Sequence, residues 1–221
     1  CAAMTGPTID ALFRARAALT PEAPALADAV NRSSFTDGRV HRLTYAQADR
    51  AVTAIAARLR SMGLSSDATV GIQLPNVAEN ILVLLAVLRA GMIAAPLPLL
   101  WRRADAVAAL ARIGTKALIT CGRVGTFNHA QFAMSVAADV FSVRYVCAFG
   151  QNLPDGIVPL DDLIAAEDGD RGRPADRQDA DDADTRLAAI TFEVGESGIV
   201  PVARSHRELL AGGMAWRAKL R

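Results

Sequence analysis

VGIQLPNVAENILVLLAVLRAGMIAAPLPLL, Val70 to Leu100, is the stretch whose reading decides the fold. It opens short and apolar, as a strand does, and Pro75 ends that strand. Asn76 and Glu79 then stand at capping-box spacing. An apolar helix follows to Ala90, and Gly91 suits its C-terminal stop. Met92 to Leu97 is short, apolar and bounded by prolines, as expected of a strand covered on both faces. The apolar run from Ile81 to Trp101 is about long enough to cross a bilayer. Arg89, Gly91, Pro96 and Pro98 interrupt it, so it reads as a core helix followed by a core strand.

The same alternation extends outward. Upstream, Thr8 to Ala18 reads as a helix and Ala23 to Ala29 as a strand. Asn31 to Gly38 is a polar turn, Val40 to Thr44 a returning strand. Thr44 and Gln47 repeat the capping spacing. The helix after them carries Ala48, Val52, Ile55, Ala56, Leu59 and Met62 on one face, and Gly63 stops it. Ala68 to Leu74 is the strand that enters the deciding stretch. Downstream, Arg102 to Ile113 is a helix stopped at Gly114, and Lys116 to Cys121 a strand. Asn128 to Phe141 is a helix, and Val143 to Phe149 a strand. Strands alternating with helices imply an α/β fold: a mostly parallel sheet with helices on both faces.

The character changes at Glu167. EDGDRGRPADRQDADDADT is charged and almost free of apolar side chains, so it reads as a mobile acidic linker or long surface loop. After it, Leu187 to Val194 is a strand, Gly195 to Gly198 a turn and Ile199 to Ala203 a second strand. Ser205 opens a helix with Glu208 at capping spacing. The expected units are therefore a sheet domain over 1–166, a linker over 167–185, and a hairpin with its following helix over 186–221.

Composition narrows the function classes. The chain has 221 residues, 52% of them apolar, and a formal net charge of +1. That is enough apolar matter for one sizeable core, and it provides no basic field for nucleic acid or anionic membrane. Cys1, Cys121 and Cys147 are odd in number and lack CxxC spacing, which argues against a disulfide framework or zinc site and for a reducing, cytoplasmic setting. His41, His129 and His206 are too dispersed for a metal cluster. The first residues lack the basic-then-apolar order of a signal peptide. Met4 is read as the natural start, and a lipidated Cys1 is the rival reading.

Leu43-Thr44-Tyr45 ahead of the first long helix, and Leu88-Arg89-Ala90-Gly91 followed by Pro96-Leu97, carry a family resemblance. In that order they resemble the N-terminal region of the adenylate-forming (AMP-dependent synthetase/ligase) superfamily, acyl-CoA synthetase-like, over roughly Thr8 to Leu210. The resemblance implies the N-terminal part of that family's large domain. It also implies activation of a carboxylic acid by ATP with Mg²⁺ and transfer of the acyl group to a thiol, commonly CoA, with a homodimer as a candidate assembly. The family's acyl pocket, ribose-binding acid and C-terminal domain with its catalytic lysine lie downstream. No catalytic residue is therefore assigned, and the chain alone is expected to be inactive. The alternative is a catalytically dead relative kept as a binding or assembly module.

The resemblance also implies a phosphate loop of pattern [ST]-G-[ST]-[ST]-G-x-P-K-G. The matching place reads Glu193-Val194-Gly195-Glu196-Ser197-Gly198-Ile199-Val200-Pro201-Val202-Ala203-Arg204-Ser205-His206. Gly195, Ser197 and Gly198 keep the family's types. Glu196 replaces a hydroxyl, Val202 the lysine, and Pro201 comes one residue late. Such a loop holds phosphate through backbone N–H groups, hydroxyls and a cation. A carboxylate about 4 Å from a phosphate is repelled by about 4 kcal/mol at an effective dielectric near 20, more than one hydroxyl returns. Arg204 could supply the missing charge if the strand faces it correctly. Gly195, Glu196, Ser197, Gly198 and Arg204 are thus the candidate cofactor-binding residues, and a plain hairpin turn is the other reading. Asp161-Asp162 reads as a solvated pair on a surface helix, Trp101-Arg102-Arg103 as a helix start with snorkelling arginines, Cys121 as a small core residue and His206 as a packed or hydrogen-bonded histidine.

Overall fold

The computed structural model describes residues 6–165, 183–196 and 198–219. The expected linker 167–185 lies outside them except for its last three residues, which form the 3-10 turn Ala183–Thr185.

The helices are α1 Ile9–Leu19, α2 Tyr45–Ser61, α3 Ala78–Arg89, α4 Arg103–Arg112, α5 His129–Ala137, α6 Asp162–Ala165 and α7 His206–Lys219. The strands are β1 Pro24–Ala27, β2 Arg42–Thr44, β3 Thr69–Gln73, β4 Ile93–Pro96, β5 Ala117–Cys121, β6 Arg123–Val124, β7 Phe127–Asn128, β8 Tyr145–Phe149, β9 Val158–Pro159, β10 Leu187–Gly195 and β11 Gly198–Ser205. Seven strands form one sheet in the order β11-β10-β4-β3-β5-β8-β9. From β10 to β9 its neighbours are parallel, and only β11 runs antiparallel, to β10. β10 joins at Ala189↔Ala94. The stretch after the acidic segment thus enters the same sheet as residues 69–159.

Helix placement follows from connection handedness. The chain leaves β3, returns beside it as β4, then crosses back over β3 to reach β5 and β8. Right-handed connections running in opposite directions put their helices on opposite faces. α2 and α3 accordingly pack on one face, where Val52, Ile55, Leu59, Leu82, Val83 and Ile72 form the larger core. α4 and α5 pack on the other, where Leu110, Leu118, Val136 and Val146 form the second. All five residues of β3 and of β5 are buried, as strands covered on both faces must be. Gly71 in β3 is a packing requirement. A Cβ there would lie 3.0–3.2 Å from the side chains of Leu110, Leu118 and Leu97.

The two signatures are structural in this chain. Thr44 and Gln47 make the reciprocal capping box of α2. Arg89 is 4% exposed and ties three helices together. Its Nε and Nη2 donate to Asp10 Oδ1 of α1 at 2.9 and 2.8 Å, and Nη2 and Nη1 donate to Asp49 Oδ1 and Thr53 Oγ1 of α2, both at 2.7 Å. Gly91 then ends α3 at φ +75°, a conformation glycine reaches without a Cβ penalty.

The capping expectation at Asn76 and Glu79 does not hold. The N-cap position of α3 is Val77, with no capping side chain of its own. Asp28, fifty residues earlier, accepts the Ala78 amide at 2.8 Å instead. Helix α5 ends at Ala137, short of the expected Phe141, and Phe141 is fully exposed. Among the described residues no helix is long and apolar enough to cross a membrane.

Candidate functional site

The hairpin is built from β10 and β11, paired from Leu187↔Ser205 to Gly195↔Gly198. The chain therefore reverses between Gly195 and Gly198, with Glu196 in the turn; Ser197 lies outside the described residues. Gly198 has φ +97°, which only glycine adopts readily. In an antiparallel ladder the amides of each hydrogen-bonded pair donate across to the partner strand. Those N–H groups are then not directed into the concave array a phosphate needs.

Charge at this hairpin is mainly negative near the turn. Glu196 is exposed in the turn, with Glu193 exposed just before it. Arg204 stands opposite Ala189 near the sheet end of β11. At about 3.3 Å per residue it lies roughly 20 Å along the strand from Gly198. Its Nη2 is 3.6 Å from Glu193 Oε1. The structure thus brings Gly195, Glu196 and Gly198 together at the turn and directs Arg204 to Glu193 instead. Val202, in the lysine position, pairs with Thr191, whose hydroxyl donates to the Val202 carbonyl at 3.4 Å. Phe192 packs edge-on against Trp101 at 5.1 Å, and Arg112 Nη1 donates to the Ile199 carbonyl at 3.3 Å. These contacts from α4 and the loop before it fix one side of the ribbon.

Sequence reasoning missed a second cluster, at the carboxyl ends of β3, β5 and β8. That end of an open parallel sheet is where ligands usually enter. Here the chain's own segment 28–41 occupies it. Arg32 is 2% exposed. Its Nη1 donates to Asp28 Oδ2 at 2.6 Å and Glu79 Oε2 at 2.8 Å, and its Nη2 donates to Glu79 Oε1 at 2.5 Å. Asp28 also accepts the His41 amide at 2.7 Å, and His41 Nε2 lies 3.4 Å from Glu79 Oε1. Burial pushes the Asp28 and Glu79 carboxyls up. Hydrogen bonds outweigh it and hold both below their ordinary values: from His41, Ala78 and Arg32 for Asp28, and from His41 and Arg32 for Glu79.

The segment is seated by glycines. A Cβ on Gly122, just past β5, would lie 2.7 Å from Asp37 Oδ2, and one on Gly150, just past β8, would lie 3.0 Å from both Asp37 oxygens. Beside the segment is an open cavity of about 580 Å³ lined by Asp37, Arg39, His41, Asp161 and Asp162 among others. Asp161 accepts the Gly150 amide at 2.9 Å. Its carboxyl is raised by burial, and further by the charges of Glu79 and Asp37 against that hydrogen bond. Asp162 reaches Arg58 at 3.5 Å. Three carboxylates against one arginine make this wall unfavourable for a polyphosphate.

The remaining candidates are structural. Arg102 is the N-cap position of α4, and Arg103 bridges to Asp139 at 2.6 Å. Cys121 and Cys147 are buried free thiols, each pushed up to about 12 by burial, so neither is a nucleophile. His206 is buried and accepts the Ile9 amide. Among the described residues no group of three or more His, Cys, Asp or Glu could hold a metal ion. The described residues fit a Mg·ATP site poorly: the turn carries the carboxylate of Glu196, Arg204 lies in an exposed 3.6 Å pair with Glu193, and no acidic metal set is found among the described residues.

Comparison with known proteins is consistent with this architecture. The family model described as AMP-binding enzyme matches residues 13–192, ending at Phe192, just short of the hairpin turn. A glycine betaine reductase of Emericella nidulans is 30% identical over 172 residues, covering 75% of this chain and 12% of the reductase. The fold is similar to that of the apo structure of Mycobacterium smegmatis MbtA, with TM-score 0.72 and 23% identity over 91% of this chain and 34% of that one. It is also similar to acetoacetyl-CoA synthetase from Streptomyces lividans, with TM-score 0.74 and 17% identity over 90% of this chain and 30% of that one. The chain thus spans about a third of the length of these solved structures and about an eighth of the reductase.

Proposed function

The chain belongs to the AMP-binding enzymes, the adenylate-forming family, and from that premise we propose that it is the N-terminal part of an acyl-CoA synthetase-like protein that does not activate carboxylates by itself. The full-length reaction in this reading joins a carboxylic acid to ATP with Mg²⁺ and passes the acyl group to CoA or another thiol. The fungal relative's name supports the carboxylate as substrate class, since glycine betaine is a carboxylate and reducing a carboxylate first requires a better electrophile. Two buried, unpaired thiols support a reducing, cytoplasmic setting.

One observation carries the inactivity of this chain: the hairpin is paired up to Gly195↔Gly198 with Glu196 in its turn. The same observation favours a second reading, a catalytically dead relative kept as a binding or assembly module. Calorimetric titration with Mg·ATP tests both. The parent chain should show no saturation below about 1 mM, equivalent to a standard binding free energy weaker than about −4 kcal/mol. The double variant Glu196→Thr, Val202→Lys removes a repulsive carboxylate and adds a cation. A gain there places the loss of nucleotide binding in the loop. No gain means that the pocket requires parts of the family fold outside this chain. Micromolar binding by the parent would contradict the proposal.

A further inference from the structure

The start of α1 is held by the far end of the chain. A helix leaves its first four amides without internal partners. Thr8 Oγ1 accepts the Ala11 amide at 3.1 Å, and the Thr8 carbonyl accepts that of Leu12 at 3.1 Å. The Ile9 amide instead donates to His206 Nδ1 at 3.3 Å, across 197 positions. His206 is the first residue of α7, directly after β11, and is 7% exposed. Its own amide donates to the Arg186 carbonyl at 3.1 Å. The next residue, Arg207, donates to both oxygens of Asp184 at 2.8 and 3.1 Å. Asp184 also accepts the Gly6 amide. A Cβ on Gly6 would lie 2.7 Å from Asp184 Oδ2, so the two segments are in close contact.

We propose that His206 is a proton-operated clasp: its neutral imidazole ties the start of α7 to the start of α1, and protonation releases the tie and loosens the anchor of the β10–β11 hairpin. An imidazole accepts through Nδ1 only while that nitrogen carries no proton, so the resident tautomer has its proton on Nε2. Protonation of Nδ1 turns the acceptor into a donor facing another donor. It also places a positive charge at the positive end of α1.

The surroundings set the same direction. Burial disfavours the imidazolium most, and Arg186 of β10 opposes it as well. Asp10 of α1 and Asp184 of the 3-10 turn favour it more weakly, and the balance lowers the His206 value from 6.5. The tie is therefore complete above about pH 6.5 and is lost as pH falls through the lower folded-state value. The proposal is independent of whether the hairpin meets a nucleotide.

Amide hydrogen exchange by NMR on the whole chain tests it, with His206→Asn as the key variant. Asparagine Oδ1 can replace Nδ1 as acceptor but does not titrate. In the parent, the protection factor of Ile9 should fall about two- to tenfold as pH is lowered from about 8 through the His206 titration followed by its ¹⁵N shifts, the range one net hydrogen bond supports. Ala11, capped by its neighbour Thr8, should not follow. In the asparagine variant the fall should vanish. A parent Ile9 protection that is flat with pH, or an equal fall in the variant, would overturn the proposal. If the variant does not fold, the ¹⁵N shifts of His206 in the parent decide. The Nε2–H tautomer with a titration below that of free histidine supports the clasp, and the Nδ1–H tautomer overturns it.

Discussion

Replacing Arg32 with methionine is the most demanding test of the buried cluster. Methionine keeps an apolar stem of similar reach and deletes the guanidinium. In the folded chain Arg32 and both its carboxylate partners have side chains no more than 2% exposed. Removing one member of a buried charge group leaves the others uncompensated, which costs about 3–5 kcal/mol. Asp28 keeps two backbone donors, from His41 and Ala78. Glu79 keeps His41, at 3.4 Å, and a hydrogen bond from its own backbone amide. The loss should therefore fall mainly on Glu79 and lie near 3 kcal/mol. With a urea dependence near 3 kcal/mol/M, the unfolding midpoint followed by circular dichroism should drop by about 1 M. Adding Glu79→Gln should recover part of the drop, because the orphaned charge is removed. A loss below about 1 kcal/mol, the worth of an exposed pair, would refute the claim that this cluster is a buried clamp.

Further outcomes follow from the same cluster. Gly38→Ala should destabilise by about 1–3 kcal/mol, because the new Cβ would overlap Arg32 Nη2, whose guanidinium the carboxylates pin. Thermal melts of that variant and the parent check it, and equal melting temperatures would show that Arg32 moves aside freely. Acid should weaken the fold through Asp28 and Glu79. Their folded values lie below the ordinary 3.8 and 4.5. A depressed carboxyl contributes stability that is full above the unfolded value and lost as pH falls through the folded one. Calorimetric melting temperatures should thus begin to fall below about pH 4.5, and Asp28→Asn should flatten part of that fall.

The layered α/β fold was legible because its signals are local. Gly91, Gly63 and the Thr44/Gln47 pair lie where the helices end or begin, and the largely apolar strands β3 and β5 are the covered central ones. What escaped were the long-range partners. Asn76 and Glu79 have capping spacing, yet Asp28 caps α3 and Glu79 faces inward to Arg32, because a buried guanidinium needs that carboxylate. Arg32 reads as part of a polar turn until the fold sets that turn over the sheet. The hairpin turn was readable from Gly195 and Gly198, but the direction of Arg204 was not. Pairing is regular from the turn to Arg204, so alternation gives the face it lies on; which side chain across the ladder its guanidinium reaches depends on the tertiary setting.

Carboxylate-dependent exchange of pyrophosphate into ATP, catalysed by this chain alone, measures the central claim most directly. The assay would use Mg²⁺ and a panel of fatty and aromatic acids together with glycine betaine. Exchange requires a nucleotide held by its phosphates and an acid placed for in-line attack, and the carboxylate of Glu196 in the turn opposes the first of these. The account predicts no exchange above the protein-free background for any acid. Exchange above background that depends on one of those acids would contradict it.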